Sequence, residues 1–67
     1  MNNTYLEIRT MRMRCEVMII SLVGTEAAPS WWKSPNKAFD GEIPNKVFDN
    51  DPERVYSYVV GHVDGYG

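Results

Sequence analysis

The side chains with an obvious capacity for chemistry are few: one histidine, His62, one cysteine, Cys15, and the acidic run Asp49-Asn50-Asp51-Pro52-Glu53. A nucleophilic centre needs a Ser or Cys with a base in reach, and a phosphate cradle needs clustered glycines; one His, one Cys and five scattered glycines assemble neither. His62, near a helix end, reads as a core or partly buried residue rather than a general base. Cys15, with Val17 and Ile19 near by and no histidine close in sequence, reads as a buried small hydrophobe rather than a reactive thiol. The acidic run alternates oxygens as a calcium loop does, but it has no glycine at its sixth position and no glutamate at its twelfth. Tetrahedral zinc lacks the ligands. No catalytic residue, metal or cofactor is therefore expected, and the chain is expected not to be an enzyme.

At 67 residues the fold can bury only about 60% of the surface that its unfolded chain exposes, so its core must be thin. Hydrophobic residues at 43% and charged residues at 24% still place it among chains that fold. A single cysteine allows no internal disulfide, which points to a reducing cytoplasm. Arginines ahead of an apolar stretch imitate a secretory signal, but the uninterrupted apolar segment from Val17 to Ile20 is short and Glu16 stands at its edge. A spanning helix would need about 20 apolar residues in succession. Arg9, Arg12 and Arg14 against Glu7 and Glu16 give residues 1–24 a net +1, so residues 25–67 carry −3 of the total of −2. That balance argues against binding nucleic acid on its own, which requires clustered cations facing phosphate.

Four short helices account for the pattern, so the expected fold class is all-α. Leu6, Ile8, Met11, Met13, Cys15 and Val17 partly alternate with charged residues, which is a strand signal. Met11, Cys15, Met18, Ile19 and Leu22 share one helical face, and Gly24 supplies a stop, which favours a helix over 5–23, with residues 1–10 open to fraying. Thr25 is placed to cap a second helix over 26–34, ended by Pro35. Pro35-Asn36-Lys37-Ala38-Phe39-Asp40 returns nine positions later as Pro44-Asn45-Lys46-Val47-Phe48-Asp49. The first copy runs into the turn signal Asp40-Gly41, whereas the second starts a helix at Pro44, with Val47 and Phe48 inward. In the last helix Asp51 caps, Pro52 opens, and Val55, Tyr58, Val59 and His62 line one face up to Gly65. Two copies at this short period do not make a solenoid.

Trp31, Trp32, Phe39, Phe48, Tyr56 and Tyr58 are many large rings for so short a chain. Adjacent tryptophans project about 100° apart on a helix, so both can hardly enter a thin core fully: either one ring is core and its neighbour a part-exposed interface anchor beside Lys33 and Asn36, or both wrap the core edge.

From Ile19 to Gly65, about two-thirds of the chain, the sequence resembles the C-terminal toxin-binding domain of the MbcA/ParS/Xre antitoxins. Trp31-Trp32 stand for that family's Trp-Leu pair and Pro35-Asn36 for its Pro-Asn. Phe39 and Gly41 stand for a Leu and a Gly, and Pro44 for the second proline. Val55 and Val59 match the final-helix pair, and Gly65 the closing glycine. Trp32 replaces an aliphatic residue and Asp40 a frequent glycine, and a module free of the helix-turn-helix domain that often precedes it is expected. The resemblance divides the chain into an N-terminal segment, 1–18, and an antitoxin-like module, 19–67. It implies a protein that neutralises a RES-domain, NAD-consuming toxin by covering the entrance to its active site.

The expected partner-binding face comprises Trp32, Lys33, Asn36, Lys37, His62 and Tyr66 with the C-terminal tail. Trp31, Pro35, Phe39, Gly41, Pro44, Val55, Val59 and Gly65 form the structural motif. Two further readings concern partners: an inhibitor from a phage or mobile element that blocks a different host protein, and a homo-oligomer whose apolar first helix pairs with a copy of itself.

Overall fold

Residues 4–63 are described by a computed structural model, and Thr4 opens it as a cap. The Glu7 N–H donates to Thr4 Oγ1 at 3.1 Å and the Thr4 N–H donates to Glu7 Oε1 at 2.9 Å, a reciprocal pair that satisfies two otherwise orphaned donors. Helix α1 then spans Tyr5–Val23, so from Thr4 onward the N-terminal segment is a capped helix and not a strand. The partial alternation arises because α1 is apolar on two opposite sides. Cys15 and Ile19 are buried, while Leu6, Met13 and Val17 face solvent. Leu22, expected inward, is 46% exposed, because the helix has run past its neighbours by that point. The division expected between residues 18 and 19 falls inside this unbroken helix, so the two segments share one element.

Gly24 ends α1 with a φ of +94°, its N–H donating to the Ile20 carbonyl at 2.8 Å. Helix α2, Ala28–Lys33, starts later than Thr25 would suggest. Had it begun at Glu26, Pro29 would occupy the fourth helical position, where a backbone N–H is needed for the first intrahelical bond. Starting at Ala28 puts Pro29 second, where nothing is lost, and Ala27 stands at the cap without a side-chain hydrogen bond. Ser34 is extended ahead of Pro35.

The two Pro-Asn-Lys copies do different work. In the first, Asn36 organises a loop: its Oδ1 accepts from the Ala38 N–H at 2.9 Å, and its carbonyl accepts from Phe39 at 3.0 Å and Gly41 at 2.9 Å. The Asn36 N–H donates to the Glu42 carbonyl at 3.1 Å, closing the loop with an isolated antiparallel bridge. Within it lies a single 3₁₀ turn, Lys37–Phe39, followed by Asp40 at φ 57° and Gly41 at φ +84°. In the second copy Pro44 is the first residue of helix α3, Pro44–Asn50. Asp51 joins α3 to α4, Pro52–Val63; its N–H donates to the Val47 carbonyl at 2.7 Å and its carbonyl accepts from Arg54 at 3.1 Å.

Every element contributes to one core: Cys15 and Ile19 from α1, Ala28 and Trp32 from α2, Phe39, then Pro44, Val47 and Phe48 from α3, and Val55 and Val59 from α4. This is a small all-α domain, as the sequence implied. No described helix is long and apolar enough to cross a membrane. Gly65, the expected stop of α4, lies outside the described residues.

Open space surrounds the position of a Cβ on Gly41, so only its backbone conformation resists substitution. Gly41→Ala should lower stability by about 1 kcal/mol through left-handed strain, read as a lower midpoint in urea. Asp40→Gly should show no such loss, since it relieves the same strain at the cost of one exposed ion pair with Arg54.

Candidate protein-binding face

Which tryptophan enters the core is decided by α2. Trp32 is only 2% exposed, whereas Trp31 is half-buried. The expected exposed anchor at Trp32 is thus corrected: the part-exposed indole is Trp31. Trp32 lies four residues after Ala28 on the same helical face, and Ala28 is small enough to let that face close on the core. The spacing was a usable signal that the adjacency of the two rings concealed.

Trp32 is held on several sides. Its ring meets Phe48 edge-on at 6.0 Å and Trp31 edge-on at 5.1 Å, and the Arg12 guanidinium of α1 lies 3.6 Å from its centroid. A cation over a shielded indole contributes on the order of 0.5–2 kcal/mol. The same guanidinium reaches Phe48 at 5.5 Å, tying α1 to α2 and α3 through one side chain. Trp32 Nε1 is buried without a hydrogen-bond partner among the described residues, which costs about 1–3 kcal/mol.

From Trp31 a file of rings runs over the core to the last turn of α4. Trp31 meets Phe39 edge-on at 6.3 Å, Phe39 meets Tyr58 at 5.1 Å, and Tyr58 meets His62 at 4.2 Å. Phe39 is the buried floor, and Trp31, Tyr58 and His62 rise from it. Arg54 flanks this file, 5.5 Å from the Phe39 centroid and 3.5 Å from Asp40 Oδ2. Nothing in the residue order marks Arg54 or Tyr58 as surface partners, because their positions depend on the Asn36 loop folding back toward α4.

His62 departs from expectation. The helical period puts it on the side of Val55 and Val59, but the last turn of α4 is uncovered and the imidazole is exposed. Its Nδ1 lies 3.0 Å from the Tyr58 carbonyl, which can only accept, so the ring donates from Nδ1–H. Lys33 and Lys37 are exposed on either side of the Asn36 loop. Asn36 itself is half-buried with its N–H, carbonyl and Oδ1 all used in the loop, so it shapes the face more than it contacts a partner. Tyr66 lies outside the described residues.

Cys15 is buried and its thiol is pushed up from 9.0 to about 11, chiefly by loss of water around the thiolate, with Arg12 opposing and Glu16 assisting the rise. Among the described residues no three His, Cys, Asp or Glu side chains gather where they could hold a metal ion. Compared with known proteins, the chain matches no family model, no curated protein and no solved structure.

Truncating the two tryptophans should separate core from surface. Trp32→Ala should cost about 3–5 kcal/mol, enough to unfold a domain of this size, and Trp31→Ala should leave a cooperative thermal transition with a much smaller loss. The cysteine gives a pH signature. Because the folded state holds the thiol proton more tightly, the contribution is fully present below pH 9.0 and is lost as pH rises toward about 11. Stability should fall across that window by at most about 1.4 kcal/mol per pH unit more in the wild type than in Cys15→Ala, measured by urea titration at each pH.

Proposed function

We propose that this protein works by binding another protein and blocking it, and that its target is a RES-domain toxin that consumes NAD. The observation that carries this is the file of rings from Trp31 over Phe39 to Tyr58 and His62, with the Arg54 guanidinium beside Phe39. Large amphipathic rings held rigidly at a surface, with a cation at the rim, have the composition of a binding hot spot. The rings are pre-ordered by their own packing, so little conformational entropy is lost on docking.

The Pro-Asn loop supports the specific target. Pro35-Asn36 stand for the Pro-Asn of the antitoxin module that the sequence resembles, and Asn36 fixes this loop through its side chain and both backbone groups. Occlusion requires shape and not reactivity, which suits a face whose one imidazole, His62, is spent on positioning through Nδ1. Action in the cytoplasm, where NAD is consumed, is part of the proposal.

The decisive measurement is NAD loss catalysed by a purified RES-domain toxin with this protein in stoichiometric excess. Turnover should stop, and Trp31→Ala should weaken inhibition by about 10-fold or more while keeping a cooperative thermal transition. Undiminished turnover with the wild-type protein would overturn the assignment of the target.

A further inference from the structure

The outward side of α1 carries a second surface, separate from the ring file. Leu6, Met13 and Val17 are 69%, 63% and 68% exposed, far beyond what a surface helix needs. With Thr10 they recur at spacings of four, three and four. That is the repeat of a helix-pairing seam, and it runs about 17 Å along the side opposite Cys15 and Ile19. Each edge of the stripe carries one acid and one base seven residues apart, Glu7 and Arg14 on one side and Arg9 and Glu16 on the other. Among the described residues none of these four forms an ion pair within the chain.

We propose that α1 pairs with α1 of a second copy of this chain, in antiparallel orientation, to form a two-fold symmetric dimer. With Leu6 facing Val17 of the second copy and Thr10 facing Met13, the apolar stripe covers itself. In an antiparallel pair like edges meet, so Glu7 comes opposite Arg14 and Arg9 opposite Glu16, each pair occurring twice by symmetry. Antiparallel placement also opposes the two helix dipoles, which parallel placement would set side by side. Complementary charge on both edges is what selects a second copy as the occupant. A narrow seam of this kind buries less than a standard interface, so the dimer is expected in the micromolar range.

The test uses the whole chain in sedimentation equilibrium. The wild type should dimerise, and Met13→Glu should raise the dissociation constant by about 100-fold while keeping a cooperative thermal transition, because Met13 is exposed and contributes nothing to the core. Arg9→Glu should weaken the dimer by roughly tenfold. Arg9→Glu combined with Glu16→Arg should restore it, since the swap preserves opposite charge only where like edges meet. A wild type that remains monomeric at about 100 micromolar overturns the proposal, and a double swap weaker than either single change overturns the orientation. None of the substituted residues belongs to the ring file, so failure here leaves the toxin assay unaffected, and failure there leaves this test unaffected.

Discussion

The burial of Trp32 is the constraint around which the domain is arranged. A chain this short has few ways to exclude water from an indole, and it uses nearly all of them: Arg12 over one face, Phe48 and Trp31 at the edges, and Ala28 one turn earlier giving it room. The short α2 is positioned by this side chain more than by its own hydrogen bonds, since six residues close too few turns to be stable alone. Because Arg12 also reaches Phe48, the first and third helices are fixed relative to one another through the same contact.

Placing Trp32 inward forces Trp31 outward, and that geometry determines the surface. Trp31 comes to rest on Phe39, which the Asn36 loop holds against Tyr58. Core and binding face are thus two sides of one set of ring contacts, and a change that loosens the loop would blur the face without touching any residue exposed on it. Arg54 braces the arrangement from α4 through Phe39 and Asp40.

Much of this was legible in the residue order. Pro44 and Pro52 mark helix starts because only there is their missing N–H without cost to the helix, and Val55 with Val59 reports the buried side of α4. The two copies of Pro-Asn-Lys differ in the residues that come after them, a left-handed turn at Asp40-Gly41 in one case and the apolar pair Val47-Phe48 in the other. What escaped has a common physical origin: period assigns a direction to a side chain but does not say whether another element lies in that direction. Leu22 and His62 both point along a buried side and both emerge into solvent at a helix end. Thr25 has the right chemistry for a cap and is overruled by Pro29, four positions on. The ring file depends on the loop closing onto α4, a non-local event that no short window of residues contains.

Two indoles that are neighbours in the chain but occupy an interior and a boundary give the molecule a pair of built-in optical probes. Trp32, sealed beneath a guanidinium and away from water, should emit toward the blue and be shielded from iodide. Trp31, open on one side, should emit further to the red and be quenched. Unfolding and docking should therefore leave different spectral traces in the same unlabelled sample: loss of the core exposes both indoles, whereas contact at the surface shields the second.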